Sequence, residues 1–120
     1  MNAFVSYSRR DNPLGRLAEI EALLSRIDTI YIDDLHHPLD VDRHVAVIAA
    51  LDAADAFIAV ASPHYPQTPW TRYEVKEAAR RGLPLLLLTE TDAIRSARYD
   101  ELLPSCDRDS LTPQATIATA

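Results

Sequence analysis

The feature that most constrains the fold is a pair of short, uninterrupted apolar runs, AFIAVA at residues 56–61 and LLLL at residues 85–88. A strand with one face in water alternates apolar and polar residues, whereas these runs contain no polar position. The two runs therefore predict strands that are covered on both faces, as in the interior of a parallel sheet.

Helical patterns separate these strands from each other and from two more strands, FVSY at residues 4–7 and TIYI at residues 29–32. The sequence predicts three helices between strands. The first begins after residues 11–13 and has Leu17, Ile20, Leu24 and Ile27 on one face. The second spans residues 45–55, and the third contains Trp70 and Glu74 and ends at Gly82. Such alternation with short connections predicts a doubly wound α/β fold, a parallel sheet of four to five strands with helices on both faces.

The segments outside this alternation have weaker patterns. Residues 35–42 (LHHPLDVD) are predicted to form a loop, and residues 92–103 a short polar helix or turn. We expect one α/β domain over residues 1–103 and a C-terminal segment over 104–120, which is either a fifth strand at TIATA or a disordered tail.

Composition excludes several classes of protein. A net charge of -6 argues against nucleic-acid binding, which needs a basic face. The single cysteine, Cys106, cannot form an internal disulfide, and no apolar run reaches the length of a membrane span. We therefore expect a cytoplasmic domain without membrane contact.

Motifs exclude further classes. With two glycines, Gly15 and Gly82, the chain has neither the GxGxxG turn of dinucleotide-binding folds nor a phosphate-binding P-loop, and the one lysine, Lys76, lies within a predicted helix. The four histidines lack HxH or HExxH spacing, so we expect no metal site. No cofactor is predicted.

Candidate site residues follow from the fold, because ligands of open α/β sheets bind beyond the carboxyl ends of the strands. This rule selects polar and aromatic residues that follow the first four strands: Tyr7, Ser8, Arg9, Arg10, Asp11, Asp33, Asp34, Ser62, His64, Tyr65, Trp70, Glu74, Thr89 and Glu90. From this set we predict Tyr7, Ser8, Arg9, Asp33, Asp34, Ser62 and Trp70 as substrate-binding residues and Glu74 as the catalytic candidate. Paired arginines, Arg9 and Arg10, are suited to phosphates and the carboxylates to ribose hydroxyls. The alternative is that the two arginines are solvated surface residues and that Asp33 and Asp34 are turn and cap residues at the end of a strand.

Glu74 carries the question of catalysis. Trp70 and Glu74 are four residues apart and hence neighbours on one helix face. A carboxylate beside an aromatic wall can stabilise the positive charge that develops on ribose when an N-glycosidic bond breaks. Spacing alone favours an ordinary helix start, where Pro69, Trp70 and an early glutamate are common.

Four segments in order resemble Toll/interleukin-1 receptor (TIR) domains: AFVSYSRRD, IYIDD, ADAFIAVASPHY and WTRYEVKEAARRGLPLLLL. The resemblance covers about the first ninety residues. It implies a flavodoxin-like fold, and the glutamate of the family's W-x-x-x-E motif falls on Glu74. The loop DDLHHPLDVD departs from the family pattern because it lacks the usual glycine.

Many members of that family cleave nicotinamide from NAD, and they commonly act in antiviral defence. The resemblance therefore implies NAD as substrate, with ADP-ribose or a cyclic variant as product, and Glu74 as the catalytic residue. It places Tyr7, Ser8 and Arg9 in the loop that lines the nucleotide site, and it implies self-association or binding to other TIR domains. Two alternatives stay open: a non-catalytic TIR interaction module, and an enzyme like the nucleoside deoxyribosyltransferases, which the segment from DAFIAV to GLPLLLL fits nearly as well.

Overall fold

A computed structural model of the protein describes residues 1–27 and 29–104. These residues form five strands, five short or medium helices and one 3₁₀ turn. The strands are β1 (Asn2–Ser6), β2 (Thr29–Ile32), β3 (Ala56–Val60), β4 (Leu85–Leu88) and β5 (Ile94–Ser96). The helices are α1 (Leu14–Leu23), α2 (Asp33–His36), α3 (Arg43–Ala53), α4 (Pro69–Arg80) and α5 (Tyr99–Leu102), and the 3₁₀ turn is Tyr65–Gln67.

The strands form one sheet in the order β2-β1-β3-β4-β5. β1 pairs in parallel with both β2 and β3, and β3 pairs in parallel with β4, whereas β5 is antiparallel to β4. The four predicted strands and the doubly wound α/β fold are therefore confirmed, with an antiparallel strand added at one edge.

Both faces of the sheet are covered, as the apolar runs require. Alternate side chains of each strand point to opposite faces, so Val5 and Ile58 pack with Leu17 of α1 on one side. Phe4 and Phe57 pack with α3 and α4 on the other side. The two phenylalanines are register partners in adjacent strands, and their rings stack at 5.8 Å. All five residues of β3 are buried, which explains why that strand shows no alternation.

Two local predictions were wrong. Residues 35–36, predicted as part of a loop, instead complete α2 (Asp33–His36), because His36 closes the turn: the backbone N–H of Ile32 donates to its Nδ1 (2.9 Å), and its Nε2 lies 2.7 Å from a carboxylate oxygen of Glu21. Residues 94–96, predicted as helix or turn, form β5. The chain reverses there because Asp92 adopts φ 66° and Thr89 closes the turn against Ala93.

The predicted short helix near residue 100 is present as α5, whose Leu102 packs in the core beside α4. The C-terminal segment, including the alternatives of a fifth strand at TIATA and a disordered tail, lies almost wholly outside the described residues. Within the described ranges, no helix is long and apolar enough to cross a membrane.

Candidate functional site

The topology places a crevice between the carboxyl ends of β1 and β3. The chain passes from β1 to β2 on one side of the sheet and later to β3 on the other, so the loops after β1 and β3 diverge at this point. A cavity of about 150 Å³ lies there, lined by Tyr7, Ser8, Arg9, Arg10, Arg43, Thr68, Trp70 and Thr71. The structure therefore brings four predicted site residues, Tyr7, Ser8, Arg9 and Trp70, to one cavity.

Helix α4 brings Trp70 and Glu74 to this crevice. Pro69 occupies its first position, and Oγ1 of Thr68 accepts a hydrogen bond from the backbone N–H of Thr71 (3.3 Å), which satisfies one otherwise free donor of the helix start. The Trp70 ring stacks on Tyr73 at 5.5 Å, and the Arg43 guanidinium lies 5.1 Å from its centroid. The proline, threonine and tryptophan thus have the structural role that a helix start predicts.

The carboxyl of Glu74 points away from solvent, toward the end of β1. Its Oε1 accepts a hydrogen bond from the Ser6 hydroxyl (2.7 Å), and that hydroxyl in turn accepts one from the phenol of Tyr65 (2.8 Å). Glu74 is 4% exposed. Burial raises the pKa of Glu74 to about 8, although the Ser6 hydrogen bond and the nearby charge of Arg43 act to lower it.

Asp33 is the second buried carboxylate next to this cluster. Its Oδ1 accepts a hydrogen bond from the Tyr31 hydroxyl (2.6 Å), and its Oδ2 lies 2.8 Å from Nε of Arg43. The latter contact is an ion pair rather than an aligned hydrogen bond, since the Nε proton of Arg43 meets no acceptor in the described part of the chain. Asp33 acts electrostatically to raise the pKa of Glu74, and Arg43 opposes it.

Asp34 belongs to a different cluster. It accepts hydrogen bonds from the Tyr7 phenol (2.7 Å) and from Nε of Arg9 (3.0 Å). Burial acts to raise the pKa of Asp34, but Arg9 and Tyr7 outweigh it and lower the pKa. Burial and the hydrogen bond to Asp34 raise the pKa of Tyr7. The two adjacent aspartates are therefore engaged with different partners, and neither lines the cavity.

Ser62 joins the two loops instead of lining the cavity. Its hydroxyl donates to Oδ2 of Asp11 (2.6 Å), which also accepts from the backbone N–H of His64 (2.8 Å), while Nδ1 of His64 lies 2.6 Å from Oδ1. Burial acts to raise the pKa of Asp11, but the hydrogen bonds from Ser62 and His64 lower it to about 2. Asp11 therefore holds the loop after β1 against the loop after β3.

Three buried donors at the cavity have no hydrogen-bond partner among the described residues. They are the Ser8 hydroxyl, on a residue that is 1% exposed, Nε1 of Trp70, and Nε of Arg43, which forms an ion pair with Asp33. Buried polar groups are rarely left without a hydrogen bond, so these donors mark the cavity as a candidate ligand site. Within the described ranges, no three His, Cys, Asp or Glu side chains come together as a metal-binding group.

Two residues of this site are missing from the sequence prediction. Ser6 lies inside the β1 pattern, and Arg43 stands at the start of α3 just after its N-cap, Asp42. Tyr65 is among the residues selected after β3, but the sequence assigned it no role. A polar residue within an otherwise apolar strand was the one available signal, and it points to Ser6.

The fold and crevice define a doubly wound α/β domain with a candidate ligand site at the switch point of its sheet. The sequence matches the TIR domain family over residues 3–108, and the chain belongs to that family. No protein of curated function matches the chain. Membership supports a role in signalling or in NAD cleavage in general terms.

Proposed function

We propose that the protein cleaves the bond between nicotinamide and ribose in NAD, with Glu74 as the catalytic carboxylate. The observation that carries the proposal is the buried Glu74 carboxyl at the end of β1, one helical turn from Trp70. The resemblance of residues 70–74 to the W-x-x-x-E motif supports the same assignment. Raised pKa values of buried carboxyls are common at catalytic sites.

The chemistry requires a negative charge beside ribose. The bond between C1′ and the nicotinamide nitrogen breaks, its electron pair leaves with nicotinamide, and positive charge develops on the ribose ring. Ionised Glu74 stabilises that charge, most strongly where water is excluded. The nicotinamide ring of NAD is itself cationic, so its approach favours the ionised form of Glu74. Water then attacks C1′ and releases a proton to give ADP-ribose, or a nucleophile of the same substrate attacks to give a cyclic product.

The cavity supplies groups for the rest of the nucleotide. The Ser8 hydroxyl and Trp70 Nε1 are free to donate, and Arg10 lines the cavity as an exposed cation. Arg9 is already paired with Asp34. We therefore assign the phosphate contacts to Arg10 and Ser8, and the aromatic wall to Trp70.

Glu74 is not among the residues that line the cavity, so the substrate must displace the side chains that separate Glu74 from the cavity. Arg43 connects these side chains, because it pairs with Asp33 and lies over the Trp70 ring. We propose that binding moves Arg43 off this position, and that self-association of the domain, common among TIR domains, assists the opening.

The test is incubation of the purified chain with NAD, with nicotinamide release followed by chromatography. Wild type and Glu77→Gln, a control on the same helix, should release nicotinamide, whereas Glu74→Gln should not. Base release from deoxynucleosides but not from NAD would instead support the deoxyribosyltransferase-like alternative. Self-association with no turnover of either substrate would support the interaction module.

A further inference from the structure

The hydroxyl groups of Ser6 and Tyr65 form a buried chain that ends on Glu74. We infer that Ser6 and Tyr65 are positioning residues for Glu74, two hydroxyls in series that orient its carboxylate and stabilise its charge. The inference rests on the proposed function for its catalytic meaning, but its geometry is independent of any substrate.

The chain joins three elements at the switch point. Ser6 ends β1, Tyr65 begins the 3₁₀ turn after β3, and Glu74 lies on α4. Their exposed fractions are 1%, 3% and 4%. The contacts of 2.8 Å and 2.7 Å are normal hydrogen-bond lengths, so the three groups form one continuous path.

The direction of donation follows from the protons available. Burial raises the pKa of the Tyr65 phenol, which therefore keeps its proton and donates it to the Ser6 oxygen. A hydroxyl has one proton, and that of Ser6 is directed to Oε1 of Glu74. Both dipoles thus point their positive ends at the carboxylate, and donation from Tyr65 strengthens donation from Ser6.

The other charged groups that act on Glu74 come from neighbouring elements and oppose each other. Arg43 of α3 favours the ionised carboxylate, and Asp33 of α2 disfavours it. These two are themselves an ion pair, so their fields partly cancel. The hydroxyl chain is then the main feature that counteracts the rise in the pKa of Glu74 caused by burial.

Tyr65→Phe is the sharpest variant. It keeps the ring, which packs in the core with Phe57 and Val75, and removes only the phenol oxygen. Ser6→Ala removes the direct donor. Tyr99→Phe, at an exposed tyrosine of α5, is the matched control.

The experiment follows the side-chain carboxyl carbon of Glu74 by ¹³C NMR across pH, with the resonance assigned by its loss in Glu74→Gln. Ser6→Ala should raise the titration midpoint by about one pH unit, Tyr65→Phe by roughly half as much, and Tyr99→Phe not at all. Where NAD is cleaved, the pH at which kcat/KM rises should move upward by the same amounts.

A purely structural role would lower stability without moving the midpoint. An unchanged midpoint in folded Tyr65→Phe and Ser6→Ala would therefore overturn the inference, and Tyr65→Phe alone decides it if Ser6→Ala does not fold. Absence of NAD cleavage with a shifted midpoint would instead refute only the proposed function.

Discussion

Replacing Glu74 with glutamine should stabilise the fold increasingly as pH rises. The pKa of Glu74 is raised from 4.5 to about 8 by burial. Between these values the folded protein retains a proton that the unfolded chain has lost, so the free energy of unfolding of the wild type falls with pH. Glutamine does not titrate and keeps an oxygen that can accept the Ser6 hydrogen bond.

The magnitude follows from that interval. From 4.5 to about 8 is about 3.5 pH units, and each unit corresponds to about 1.4 kcal/mol. The gain in the free energy of unfolding should therefore be near zero below pH 4.5, about 3 kcal/mol at pH 7 and about 5 kcal/mol above pH 8. A gain of this size from removing a carboxylate is typical of a residue kept for function at the expense of stability.

Urea denaturation of wild type and variant at pH 5, 7 and 8.5 measures this difference. The control is Glu77→Gln on the same helix. Hydrogen bonds from Arg80 and Arg81 lower the pKa of Glu77, so this variant should be slightly less stable than wild type at pH 7, the opposite sign. A Glu74→Gln gain that is the same at pH 5 and pH 8.5 would refute the reasoning, because it would not come from ionisation.

Two other variants test the loops around the crevice. Asp11→Asn should lower the free energy of unfolding by about 2 kcal/mol at pH 7. The pKa of Asp11 is lowered from 3.8 to about 2, so the stabilisation by its ionised carboxylate is fully present above pH 4 and is lost as pH falls through about 2. Thermal melts in which the stability difference between wild type and Asp11→Asn stays constant down to pH 2 would contradict this. Arg10→Gln should raise the Kd of ADP-ribose about tenfold by calorimetry, because it removes a charge-assisted phosphate contact, and should leave stability unchanged. Arg26→Gln, at an exposed arginine that does not line the cavity, is its control, and an unchanged Kd in Arg10→Gln would count against the phosphate assignment.

The sheet could be predicted from the sequence because burial on both faces leaves a local signal. β3 is buried at every position, and its predicted extent differs from the observed one by a single residue. The start of α4 was equally readable, since Thr68 accepts a hydrogen bond from Thr71 of the same helix and Pro69 fixes the backbone φ of the first helical position. Confirmed elements of this kind leave a signal in their own residues.

The elements missed by the sequence depend on distant partners. α2 is held by His36, which contacts Glu21 of α1 as well as the backbone of Ile32, and β5 depends on pairing with β4. The hydrogen bond between Ser6 and Glu74 joins residues 68 positions apart, so no local pattern reveals it. Periodicity placed Glu74 on the correct helix, but it could not show that the carboxyl is buried against the end of β1.

The central claim is that the carboxylate of Glu74 cleaves the nicotinamide–ribose bond. The most direct measurement is the rate of nicotinamide release from NAD, followed by ¹H NMR at pH 8.5, for wild type and Glu74→Gln at equal concentrations of folded protein. We predict steady release by wild type and a loss of at least about a hundredfold in the variant, since a single preorganised electrostatic contact at a reacting centre contributes on that order. Release at the wild-type rate by folded Glu74→Gln would contradict the claim.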